Sequence, residues 1–277
     1  MSTPDLRIAQ ALVVADPRGV RVVARSEGFD DAEAERITVL FGSRPAGVAC
    51  PLAHFACPFG RSHVAVVRVA DRLDGSLGFR FLVLARELYR HLGDPFAIAD
   101  RYPPPDGVAT GPLPALAWPL EILPPRTVAQ IQELLKSSDS ALLLGGTQVL
   151  VDGGRVVVQR TAPDESLVRG LWQLLPDRNR ADLWPASFAF SNELGFDAVA
   201  LPTLPPVPTG VHHTEDGLRD YPQSHYELAL QVAVESGDQR ALDRLFARRT
   251  SGDTIRLGLA IIGGAFLLAA ILKFVLP

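Results

Sequence analysis

The chain opens with short apolar runs broken by turn residues and closes on an unbroken apolar stretch of a different kind. Positions 6–14 and 20–24 are rich in Val and Ala and flank Asp16-Pro17-Arg18-Gly19, which predicts two strands joined by a turn. Asp30 or Asp31 is placed to cap a helix over 32–40, with Glu33 and Glu35 in its first turn and Gly42-Ser43-Arg44-Pro45 ending it. Positions 63–70 and 77–85 are the clearest strands, and Asp74-Gly75-Ser76 between them predicts an antiparallel hairpin. Short helices are expected at 86–92 and 95–101.

The pattern breaks at 102–125, where eight prolines in 24 residues exclude a regular helix or a central strand. Beyond it, Val128, Ile131, Leu134 and Leu135 form the apolar face of a helix over 127–136. The run 140–152 fits strand or helix equally. A turn at Gly153-Gly154, a strand at 155–160, a helix over 164–175 and a short helix at 178–183 follow. Strands near 186–190 and 198–201 precede a second proline-rich stretch at 202–208. Two helices, 224–235 and 238–249, lead into the last segment. The expected fold is therefore α+β, a two-part cytoplasmic region followed by a single C-terminal transmembrane helix. Its parts are an N-terminal domain (1–102), a proline-rich connection (103–125), a second α/β unit (126–209), a helical juxtamembrane segment (210–254) and the membrane helix (255–276).

The final segment carries the strongest functional signal. Residues 257–276 hold one charge, Lys273, and at about 1.5 Å per residue they span about 30 Å, the thickness of a bilayer's hydrocarbon core. Leu257, Ile261, Ile262, Phe266, Leu267, Leu268, Ile271 and Leu272 are the expected lipid-facing anchor, apolar all round. Arg240, Arg244, Arg248, Arg249 and Arg256 precede it and only Lys273 lies within its far end, so the positive-inside rule puts the N-terminal bulk in the cytoplasm. Residues 1–16 carry acids at Asp5 and Asp16 and no basic leader, unlike a signal peptide. The chain is expected to be tail-anchored, with membrane lipid as a partner.

Composition narrows the rest. The hydrophobic fraction of 47% suffices for real cores. The net charge of −4 argues against a nucleic-acid partner. Lysine occurs only at Lys136 and Lys273, an arginine bias of the kind GC-rich bacterial coding sequences produce. The two cysteines, Cys50 and Cys57, provide no disulfide framework.

Cys50, His54, Cys57 and His63 form a Cys-x3-His-x2-Cys-x5-His cluster, four residue types that ligate zinc, although the spacing is that of no standard finger. The competing reading is buried small cysteines and surface histidines. Gly145-Gly146-Thr147 and Gly153-Gly154 lack both phosphate-loop and dinucleotide patterns and read as turn glycines. No G-x-S-x-G occurs, and His212-His213 with Glu215 and Asp216 read as a solvated loop. Trp172, Trp184, Phe188 and Phe190 read as core, with an aromatic groove for a peptide as the alternative. No catalytic set stands out. The expectation is a non-enzymatic adaptor or scaffold without a cofactor, and a metal-assisted hydrolase or zinc-stabilised enzyme is the competing class.

Gly42-Ser43-Arg44-Pro45-Ala46-Gly47-Val48, the hairpin 63–85, and Leu174-Leu175-Pro176 followed by Trp184-Pro185-Ala186-Ser187-Phe188-Ala189-Phe190 together resemble the GTPase-associated adaptor proteins of bacteria. The resemblance covers about residues 6–201. It implies an α/β N-terminal domain, a middle domain and a GTPase as protein partner, within a signalling or conflict system. It carries no catalytic residues. The chain departs from that pattern in having an apolar anchor where the family has a C-terminal domain.

Overall fold

The computed structural model describes residues 6–104, 111–119, 121, 123–204 and 212–247. Within them the chain folds as mixed α+β around one large sheet. Strands β1 (Arg7–Asp16) and β2 (Gly19–Arg25) form the first hairpin, and α1 (Asp31–Leu40) follows. Asp30 caps α1 by accepting from the Glu33 amide at 3.1 Å, one of the donors a helix start leaves unpaired. Strands β3 (Ala53–Phe59), β4 (His63–Asp71) and β5 (Leu77–Ala85) make an antiparallel meander. Helices α2 (Arg86–Leu92) and α3 (Pro95–Arg101) come next, the latter capped by Asp94. The two-residue strands β6 (Gly111–Pro112) and β7 (Leu116–Ala117) in the proline-rich stretch add to β2 and β1.

The second half begins with α4 (Val128–Leu135), opened by a capping box between Thr127 and Gln130. The ambiguous run becomes helix α5 (Ser140–Val151). Strand β8 (Arg155–Gln159), helices α6 (Glu165–Leu174) and α7 (Asp177–Asp182), and strands β9 (Pro185–Ala186) and β10 (Ala198–Leu201) complete the α/β unit. Strand β11 (His212–His213) and helices α8 (Glu215–Arg219), α9 (His225–Glu235) and α10 (Gln239–Phe246) close the described chain.

The two halves share one sheet. Its order is β11-β8-β10-β9-β3-β4-β5-β1-β2-β6, with β7 on β1. Strands β11, β8, β10 and β9 run parallel, and β9 joins the antiparallel part through Phe55 opposite Ala186. The expected strand 186–190 is confined to Pro185–Ala186 because its backbone turns away to other partners. Ser187 N–H donates to His54 O at 2.8 Å, Ala189 N–H to Ala200 O at 3.0 Å, and Phe190 and Ser191 N–H both to Phe41 O at 3.0 and 3.1 Å. Phe41 stacks on Phe55 and meets Phe79 and Phe190 edge-on, so the seam between the halves is aromatic core. Trp172 and Phe188 are fully buried, which resolves the aromatic cluster as packing. The prolines of 102–125 separate the halves in sequence but not in the core, which is continuous from Phe29 to Phe246.

Alternation decides the layers. Phe55, Cys57, Phe59, Ala65, Val67, Val69, Phe79, Phe81 and Val83 face α1 and the main core. The intervening Ala56, Val64, Val66, Leu82 and Leu84 face α2 and α3 in a second, smaller core. Among the described residues no helix is long and apolar enough to cross a membrane. The anchor residues Leu257, Ile261, Ile262, Phe266, Leu267, Leu268, Ile271 and Leu272 lie outside the described residues.

Candidate functional site

The face of the meander turned toward α2 and α3 carries a polar row. His54 on β3 is paired with Arg68 on β4, and Arg68 with Arg80 on β5. Residues directly opposite in a ladder point to the same face, so the three side chains lie side by side. His54 is 5% exposed, and its Nδ1 lies 2.9 Å from Glu165 Oε2 at the start of α6. Arg169, one turn along α6, donates to Glu165 Oε1 at 2.5 Å and to Asp100 Oδ2 on α3 at 2.8 Å. Its guanidinium stands over the Phe96 ring, which also meets the His54 imidazole edge-on. Burial pulls the His54 pKa below the ordinary imidazole value. Glu165 opposes the shift, while Arg68 and Arg169 add to it. At neutral pH His54 is therefore uncharged, with Nδ1–H donating to the Glu165 carboxylate.

At the end of this row Arg80 is 7% exposed. It donates through Nη1 to Tyr102 O and through Nη2 to Gln10 Oε1. Gln10 is held in turn by Pro114 O, at 2.8 Å from its Nε2. Burial, with Arg68 beside it, pushes the Arg80 pKa down to about 10, so the side chain stays cationic. Sequence reading missed this pair, although the predicted hairpin carried the signal: pairing 63–70 with 77–85 across its turn sets Arg68 against Arg80.

The structure does not assemble the four proposed zinc ligands. Cys57 and His54 are three residues apart on β3 and so face opposite sides of the sheet. Cys50 is tied by its backbone to Asp71 at the far end of β4, whereas His63 starts that strand. Eight residues at about 3.3 Å separate those ends by about 26 Å, far beyond a tetrahedral site. Both thiols are buried; burial pushes Cys50 up to about 12 and Cys57 upward as well, so neither is a ready thiolate. Among the described residues no three His, Cys, Asp or Glu side chains converge on a point that a metal ion would occupy.

Other expectations also change. Gly145 and Gly146 are not turn residues; they sit inside α5, where a Cβ on Gly145 would strike the Leu218 backbone of α8 and one on Gly146 would press on the end of the Leu171 side chain. Gly153, at φ +86°, is the turn glycine expected after it. His212 and His213 pair with β8, and Glu215 opens α8, where Arg160 Nη1 donates to it at 2.6 Å. Asp30 and Asp164 are helix caps, as their positions imply.

A second feature lies on the helical side. A groove of about 600 Å³ runs between α4, α5 and α9, lined by Gln132, Leu135, Leu144, Gln231 and Val234. Beside it on α9, Leu228 and Val232 are 45% and 66% exposed. One turn apart, they form an apolar stripe facing water. A third cleft, of about 490 Å³, is lined by Arg7, Glu27, Phe29, Arg61, Ser62 and His63. There Ser62 Oγ lies 3.0 Å from His63 Nδ1 at an exposed turn, with no carboxylate hydrogen-bonded to that ring among the described residues. No family model matches the chain, and no curated protein matches it either.

Proposed function

We propose that the chain is a non-enzymatic adaptor, attached to the cytoplasmic face of a bacterial membrane through 255–276, that receives a protein partner along α9. The exposed Leu228–Val232 stripe beside the α4–α5–α9 groove carries this reading. An amphipathic helix from a partner laid along that groove would cover the stripe and keep its own polar face in water. Attachment to a membrane raises the local concentration of a partner on the same surface, so a modest contact suffices. A GTPase is the partner class implied by the adaptor resemblance. The arginines leading to the apolar segment favour anionic headgroups on the cytoplasmic side.

Capture from solubilised membranes tests the reading. Leu228→Glu and Val232→Glu should each release a partner retained by the unmodified chain, with unchanged melting temperature because both positions are solvent-facing. An identical partner set on all three chains overturns the proposed surface. If the captured protein is a GTPase, its retention should change between GDP and a non-hydrolysable GTP analogue. Protease added outside intact spheroplasts should leave 6–247 uncut, and digestion there reverses the orientation.

A further inference from the structure

We propose that Arg68 and Arg80 bind a phosphate-type oxyanion on the sheet face below α3. The two arginines stand directly opposite each other on β4 and β5, a like-charge pair that is unfavourable by itself. Arg80 is nearly buried, yet both its hydrogen bonds go to uncharged oxygens and its Nε has no acceptor. A buried charge without a counter-ion is costly, and natural proteins pair such groups. The acids beside this row are already engaged, Glu165 by His54 and Arg169, and Asp100 by Arg169. Among the described residues, neither Arg68 nor Arg80 has a carboxylate partner.

The face is also accessible there. Helices α2 and α3 cover Val64, Val66, Leu82 and Leu84, but toward the β4–β5 turn Leu12, Arg68, Ala70 and Gly78 remain partly exposed. A Cβ placed on Gly78 would meet Arg72 Cγ and Cδ at 3.4 Å, so the stem of a third arginine lies over the same face. The Arg68 guanidinium together with the N–H groups of Arg80 that Tyr102 and Gln10 leave unused offers a dianionic phosphate more donors than a carboxylate can take. Free phosphate and a phospholipid headgroup share this chemistry. The site rests on the sheet and is independent of the α9 surface.

The full chain in non-ionic detergent, titrated with inorganic phosphate against potassium chloride at matched ionic strength, gives the test. Binding heat and melting temperature are read together. Saturable stabilisation by phosphate is expected, with affinity at least tenfold weaker in Arg68→Ala, whose partly exposed side chain leaves the core intact. Short-chain phosphatidic acid and short-chain phosphatidylcholine form a second arm. A response to phosphatidic acid alone assigns the anion to a lipid headgroup, and a response to inorganic phosphate as well assigns it to a free anion. No response to either, or an equal response in Arg68→Ala, overturns the proposal.

Discussion

Gly42→Ala probes the seam between the two halves. Gly42 has φ +102°, a backbone region that disfavours L side chains by about 1–2 kcal/mol. An added Cβ would stand 2.9 Å from Ser191 N, 3.0 Å from Phe190 C and 3.1 Å from Phe190 Cβ. These are mostly backbone atoms, and they are held in place because Phe190 and Ser191 N–H donate to Phe41 O and Ser191 Oγ donates to Leu40 O. Overpacking of this kind costs about 1–3 kcal/mol. Alanine also stiffens the unfolded chain, which returns about 0.4–1 kcal/mol. The net expectation is a loss of about 3 kcal/mol. Gly28→Ala is the control: its φ is +75° but nothing lies within 4 Å of the added Cβ, so only the backbone cost less the same return applies, and a loss of about 1 kcal/mol follows. Urea denaturation of a chain ending at Asp253, followed by tryptophan fluorescence and far-UV circular dichroism, measures both. With the halves sharing one core, the two probes should shift together in Gly42→Ala. A Gly42→Ala midpoint equal to that of Gly28→Ala, or a shift in one probe alone, refutes the close approach and the shared core.

Three further outcomes are expected. Gly145→Ala should cost about 2 kcal/mol, because its Cβ would collide with the Leu218 carbonyl oxygen in α8. Gly146→Ala should stay within about 1 kcal/mol, since it meets only the flexible end of Leu171 and gains helix propensity; urea midpoints in the reverse order would contradict the packing of α5 on α8. The His54 pKa is depressed in the folded state, so the unfolded chain takes up a proton first as pH falls. The stability His54 contributes is present above its unfolded value of 6.5 and is lost on acidification below it, by at most about 1.4 kcal/mol per pH unit. His54→Gln should flatten that slope in urea titrations between pH 7 and 5, the comparison cancelling other groups such as Glu227; parallel slopes would place His54 in a different environment. Chelation should leave the melting temperature unchanged and metal analysis should find no stoichiometric zinc, whereas bound zinc lost in Cys57→Ser would restore the ligand cluster.

Local chemistry was readable from residues that act on their immediate neighbours. Asp30 and Asp164 cap helices because a short side chain reaches only amides two or three residues on. The β4–β5 hairpin was equally legible, since alternating β-branched residues on either side of Asp74-Gly75-Ser76 leave little choice of pairing. Helices 86–92 and 95–101 and strand 198–201 also stand where pattern placed them.

Tertiary structure decided whatever depends on groups distant in sequence. Ala53–Phe59 carries small and polar residues and passes for a ligand cluster; β4 on one side and β9 on the other make it a strand. Residues 140–151 become helix because α6, α8 and α9 bury both glycines and leucines there, a choice periodicity alone does not make. His54 meets Glu165 across 111 residues, and its depressed pKa comes from that burial, not from its neighbours along the chain. Among the described residues of 102–125 regular structure is limited to the two-residue strands β6 and β7, yet hydrophobic burial is indifferent to chain order, and the aromatic contacts of Phe41, Phe55 and Phe190 join the halves into one core.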